Sequence, residues 1–205
     1  MLYDITPAIT PKLAVWPGDT AVTREVLCDL ARGDTVTLST LRSTVHLGAH
    51  ADGPNHYGRD AAAIHERSLE HYLGPCQVVR VEVARGQRIA PDMIASEVTA
   101  PRVLFATGTY PNPEEWNSDF AALSVELINF LRAQKVITVG IDTPSVDLFE
   151  SKDLPAHKAI LKYDMAILEG LRLQDVPEGG YELIALPLPL VGFDASPVRA
   201  ILRST

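Results

Sequence analysis

Three short runs constrain this chain more than anything else in it: QVVRVEV (77–83), RVLFATG (102–108) and KVITVGID (135–142). The first alternates apolar and polar residues. The other two are apolar almost throughout and have the length of buried strands. Between the last two, Ser124 is followed by Glu126, Leu127, Ile128 and Leu131 at helical spacing, which predicts a serine-capped helix to about Gln134. Strands alternating with helices place the chain in the α/β class with some parallel strands. Pro91 opens a second expected helix, PDMIASEV, because proline fits a first helical turn. Upstream, TREVLCDL and DTVTLSTLRSTVHLG carry the β-branched residues and partial alternation of half-buried strands. That β-rich first half predicts a mixed central sheet, not a doubly wound one. LPAHKAILK (154–162) reads as a short helix, MAILEGL (165–171) as a strand running into a turn, and YELIALPLPLVG (181–192) as a late strand ended by prolines.

No repeat, low-complexity tract or Ser/Gly linker divides the sequence, so one domain over residues 1–205 is expected. At 46 % hydrophobic residues it can bury a large core without disulfides. Cys28 and Cys76 are too few for a secreted disulfide scaffold and read as small buried hydrophobes. MLYDITPAIT lacks the basic and long apolar regions of a signal peptide, and LIALPLPLVGF is too short to span a bilayer. A cytoplasmic protein follows. The net charge is −8, with Lys and Arg scattered, which argues against nucleic acid or an anionic membrane as partner.

The chemistry is concentrated in HLGAHADGPNH (46–56), which holds three of the six histidines and an aspartate. Taken as extended, it points His46, Gly48, His50 and Asp52 to one side and Val45, Leu47, Ala49 and Ala51 to the other. Gly48 would leave room between two imidazoles, and Asp52-Gly53-Pro54 would turn the chain and return His56 to the same side. Two neutral imidazoles and a carboxylate on one surface suit zinc, or manganese as a harder ion. A site is seldom completed by one segment. His157 lies among apolar residues in LPAHKAILK, and Glu169 ends the apolar run MAILEGL, where a buried carboxylate needs a cation or strong hydrogen bonds. His65 and His71 sit in the polar segment IHERSLEHYLG and read as solvated surface residues.

In this order, HLGAHADGPNH, GIDTPSVD (140–147), LPAHKAILK, ILEGL (167–171) and SPVRAIL (196–202) resemble the bacterial cyclase-like metal-dependent hydrolase family. The likeness runs from DITPAI to SPVRA. Ala49, where many members carry threonine, together with GIDTPSVD, looks like the arylformamidase branch of that family. The resemblance implies a swivelling β/β/α fold, usually a homodimer, with two metal ions, zinc by preference. It assigns His46, His50 and Asp52 to the metals, Asp52 able to bridge them, with His157 on the second ion and Glu169 bridging both. It makes His56 the acid/base residue and Trp16, in AVWPGD, a substrate contact.

The reaction implied is hydrolysis of N-formyl-L-kynurenine to L-kynurenine and formate, a step of tryptophan degradation. Divalent ions make water nucleophilic near neutral pH, and imidazole ordinarily titrates there, which suits a proton carried from nucleophile to leaving amine. Trp16 would stack on the substrate's ring. Asp142 and Asp147 read equally as strand-end carboxylates or as groups of the site. Three rivals stand beside this reading: a family member opening isatin or another cyclic amide, a serine hydrolase, and a non-catalytic metal-binding protein. The chain has no G-x-S-x-G elbow, which counts against the second.

Overall fold

The computed structural model describes residues 1–204. In chain order its strands and helices are β1 (Leu2–Asp4), β2 (Thr23–Cys28), β3 (Leu38–Arg42), β4 (His50–Asp52), β5 (Leu73–Arg80), β6 (Arg88–Ile89), β7 (Arg102–Ala106) and β8 (Ala122–Leu123), then α1 (Val125–Ala133), β9 (Thr138–Ile141), α2 (Pro155–Lys162), β10 (Ala166–Glu169), β11 (Gly179–Ile184), β12 (Ala195–Pro197) and β13 (Ile201–Ser204).

Nine strands form one mixed sheet in the order β1-β13-β11-β5-β7-β9-β10-β4-β12. Its centre, β5-β7-β9-β10, is parallel. The flanking pairs are antiparallel. The apolar runs occupy the centre because both faces there are covered. Val79, Val103, Phe105, Val139 and Ile141 pack with Leu127, Ile128 and Leu131 of α1 and Ala156 and Ile160 of α2. On the other face, residues of β4, β5, β7, β10, β11 and β13, among them Ala51, Val78, Leu104, Leu168, Leu183 and Leu202, meet in one cluster, so the sheet curls around it. Ser124 caps α1 as the spacing predicts, its hydroxyl accepting from Leu127 N–H at 3.0 Å.

Three expectations need correction. PDMIASEV makes only a 3-10 turn, Pro91–Met93, since Ala90 offers no capping side chain to offset the cost of starting a longer helix. The strands in TREVLCDL and DTVTLSTLR are not half-buried: among the described residues β2 and β3 pair only with each other, with Leu27, Leu38 and Leu41 all more than half exposed. HLGAHAD is not extended throughout. Gly48 adopts φ +53°, so the chain bends there and strand geometry begins at His50. Among the described residues no helix is long and apolar enough to cross a membrane.

Candidate metal centre and its cavity

The site lies at the carboxyl ends of β7, β9 and β10, where parallel strands open a crevice. Register assembles it. In the antiparallel pair β4–β10, His50 stands opposite Glu169, and His50 Nε2 lies 3.3 Å from Glu169 Oε2. Asp52, two residues on, faces the same side and is fully buried. Ala49 and Ala51 are buried on the opposite side, as the alternation predicts, while Leu47, before the bend, is buried against Leu13 and Val22. The bend at Gly48 has its own cause. A Cβ on Gly170, at φ +64°, would lie 2.1 Å from the Gly48 carbonyl oxygen, so two glycines in left-handed conformation let the loops bearing His46 and Glu169 touch.

His46 Nδ1, His50 Nε2 and His157 Nε2 stand 3.1, 3.4 and 3.6 Å from oxygens of Asp52. None of these approaches is aligned as a hydrogen bond: among the described residues, both Asp52 oxygens and His50 Nε2 are buried without a partner. Three such orphaned atoms facing one another would be costly, and a cation between them would satisfy all three. The remaining ring nitrogens are tied back. His50 Nδ1 donates to Gly48 O at 2.8 Å, and His157 Nδ1 to Asp147 Oδ2 at 2.9 Å. His46 Nε2 lies 3.0 Å from Asp194 Oδ2. Each bond fixes the tautomer that leaves the inward nitrogen a lone pair, the arrangement of metal-binding histidines. Burial opposes charge on His50 and His157, but without an ion the neighbouring carboxylates outweigh it and push both rings up to about 10. Asp52 is held well below the usual carboxylate range against its own burial, by the histidines around it. Two donor clusters, His46-Asp52-His56 and His50-Asp52-Glu169, each gather their ligand atoms within 4.8 Å, and Asp52 belongs to both.

His56 follows the turn at Pro54 and lines the cavity over these groups, its ring 4.2 Å from that of His46, with Nδ1 3.5 Å from Asp194 Oδ2. The cavity has a volume of about 380 Å³, within the range of small-molecule sites. Trp16 lines it, 37 % exposed, with its ring 5.2 Å from Trp116 and 5.0 Å from Phe149. All seven residues singled out in the sequence therefore meet in one place. His65 and His71 do not. His65 is exposed, while His71 is half-buried, its Nδ1 3.2 Å from Ile137 O and its Nε2 3.1 Å from Arg67, so the latter is not a solvated histidine. Of the two ambiguous aspartates, Asp147 orients His157. Asp142 lines the cavity, where Thr107 N–H, Gly108 N–H and the Thr107 hydroxyl donate to it. Sequence reasoning missed Asp194, which lies in an irregular loop before β12, and the cavity aromatics Tyr110 and Trp116. No motif marks Asp194; the aromatics of TYPNPEEW were a signal left unused.

The cyclase family model matches residues 3–148. The chain is 45 % identical over 204 residues to the kynurenine formamidase of Bordetella pertussis strain Tohama I, covering 98 % of this chain and 97 % of that protein. Among solved structures it is similar to one described as a potential metal-dependent hydrolase with cyclase activity, with TM-score 0.84, 30 % identity, and 98 % and 96 % of the two chains covered. An isatin hydrolase bound to the product analogue thioisatinate shares the fold, with TM-score 0.84 at 19 % identity over 98 % and 91 % of the chains.

Proposed function

The chain belongs to the cyclase family, and from that membership we propose that it is a metal-dependent arylformamidase, hydrolysing N-formyl-L-kynurenine to L-kynurenine and formate in tryptophan degradation. One observation carries the reading. The buried Asp52 carboxylate, with both oxygens unpartnered, is shared by two donor clusters on the wall of an aromatic-lined cavity. The name of the Bordetella relative supplies the substrate.

His46, His50, Asp52, His157 and Glu169 would hold two zinc ions, the shared Asp52 carboxylate standing between the two donor clusters. Manganese suits the same mixed donors. When bound, such ions polarise the formyl oxygen and lower the pKa of water. The protein's own residues do the rest. His56 reaches over the metal groups from an exposed position, with its Nδ1 toward Asp194 and, among the described residues, no hydrogen-bond partner on Nε2. That nitrogen takes a proton from the attacking water and returns it to the amide nitrogen, so that the leaving group departs as an arylamine instead of its anion. Trp16 and the aromatics beside it stack on the substrate ring and exclude water from the cleft.

The active species in this reading is a homodimer of single-domain subunits. The β2–β3 arm supports it, because an isolated two-stranded ribbon with exposed leucines is marginal until something packs on it. Two free cysteines, one half-buried and one buried, suit a reducing cytoplasm.

The test is hydrolysis of N-formyl-L-kynurenine by the purified protein, followed by kynurenine absorbance, before and after chelation and with zinc or manganese restored. Turnover that disappears on chelation and returns with metal supports the proposal. Metal-loaded protein that leaves N-formyl-L-kynurenine intact but opens isatin would overturn it.

A further inference from the structure

The cavity lining is rich in acid. Asp19, Asp142 and Glu169 all contribute to it, and Arg172 is the only lysine or arginine among the lining residues. Other arginines of the fold are committed: Arg67 to Asp164, Arg80 to the carbonyls of Gln174 and Val176, Arg88 to Asp147, Arg199 to Asp4. The half-buried Arg172 differs, for its guanidinium has no hydrogen bond or ion pair among the described residues. Its backbone, in contrast, is tightly held. Three successive amides are tied to two other segments: Gly170 N–H donates to Thr143 O at 2.8 Å and Leu171 N–H to Ile141 O at 3.2 Å, both at the end of β9, and Arg172 N–H to Ile5 O at 2.9 Å. The base of this side chain is thus fixed three residues beyond Glu169, while its head is uncommitted.

We propose that Arg172 binds the α-carboxylate of an amino-acid substrate while the formyl group lies at the metal centre. The inference rests on the arylformamidase reading and adds to it the group that selects an amino-acid substrate over a plain formanilide. A substrate carboxylate that is to stay off the metal centre, in a cavity that also holds Asp19 and Asp142, needs a fixed cation of its own. A guanidinium fork matches a carboxylate with two parallel hydrogen bonds, and a head without internal partners loses none on binding.

The experiment compares wild type, Arg172→Met and Arg172→Lys on two substrates: N-formyl-L-kynurenine, and 2′-formamidoacetophenone, which keeps the formanilide ring and ketone but lacks the amino acid. In Arg172→Met the ratio of kcat/KM for the first substrate to that for the second falls about 10- to 100-fold, carried by KM. Arg172→Lys recovers part of it, and the metal content of all three proteins is equal. An unchanged ratio, or equal losses on both substrates, overturns the role of Arg172 while leaving the parent reading intact. Wild-type protein that cleaves only the neutral formanilide overturns the kynurenine reading and this inference with it.

Discussion

Asp147→Asn tests whether the groups behind the metal ligands set metal affinity. Asp147 is fully buried and accepts four hydrogen bonds: on Oδ1 from Arg88 at 2.7 Å and Ala156 N–H at 3.2 Å, on Oδ2 from His157 N–H at 3.1 Å and His157 Nδ1 at 2.9 Å. It caps the first turn of α2, which has no capping side chain of its own because Leu154 occupies that position. Burial pushes its carboxyl up, but the bonds from His157 and Arg88 outweigh this and hold it below the ordinary value. Asparagine keeps one acceptor oxygen. If that oxygen serves His157, the bonds from Ala156 and Arg88 are lost, one neutral and one charge-assisted, a cost of about 3 kcal/mol. At about 2–4 °C per kcal/mol for a chain of this size, the chelated protein should melt roughly 6–12 °C lower. If the amide instead faces His157, the ring turns to its other tautomer and Nε2 loses its lone pair. Across these two states metal affinity should drop about 10- to 100-fold. Chelator competition measures the affinity and calorimetry the melting. Wild-type affinity in a destabilised Asp147→Asn protein would refute the argument, by showing that His157 needs no orienting partner or is no ligand.

His56→Ala should lose at least about 100-fold in kcat with metal content unchanged; loss of an ion would instead make His56 a ligand, which its place in the cluster with His46 and Asp52 would permit. The chelated protein should lose stability as pH rises. With burial outweighed by carboxylates, His50 and His157 bind protons up to about 10 when folded and to about 6.5 when unfolded, so their contribution is complete below about 6.5 and gone above about 10. Melting temperature without metal should fall across that interval while the protection given by metal grows, as fewer protons compete for the ligands; a flat profile would contradict it. Gly170→Ala should abolish metal binding or folding, since its Cβ would sit 2.1 Å from the Gly48 oxygen at φ +64°; a soluble variant with full metal content would show that the two loops can separate without harm.

What the sequence made legible was whatever local chemistry determines. The apolar runs at 102–106 and 138–141, the Ser124 cap and the helix over 155–162 follow from period and capping, and all are found. The ligand types were legible too, because a carboxylate that ends an apolar run, as at Glu169, is too costly to bury without a cation or strong donors beside it. The failures lie where the outcome depends on contacts far along the chain. PDMIASEV has helix-compatible residues, yet no side chain at Ala90 caps a first turn, and Ile94 and Val98 reach the core from extended or irregular backbone instead. The alternation of β2 and β3 resembles half-burial, and only the topology reveals that no sheet lies beneath. Asp194 enters from an irregular loop 148 residues after His46, and an isolated aspartate in FDASP has no local mark.

The pairing of β4 with β10 decides how a short histidine-rich segment becomes a centre that can share one carboxylate between two clusters. Glu169 opposes His50 and Ile167 opposes Asp52, so the acid falls beside the imidazole and an apolar side chain beside the buried aspartate. A shift of one residue would turn Glu169 into the core and bring Leu168 to the metal side. That register does not need the polar residues to set it. It is set by Ala49, Ala51 and Leu168, which share one apolar cluster, and by the contact of Gly48 with Gly170 at the strand ends. The apolar face of HLGAHAD thus positions its polar face. Substitutions at Ala51, which is fully buried in that cluster, that enlarge the side chain should therefore weaken metal binding without touching a ligand, a link from core packing to chemistry that inspection of the ligands alone would miss.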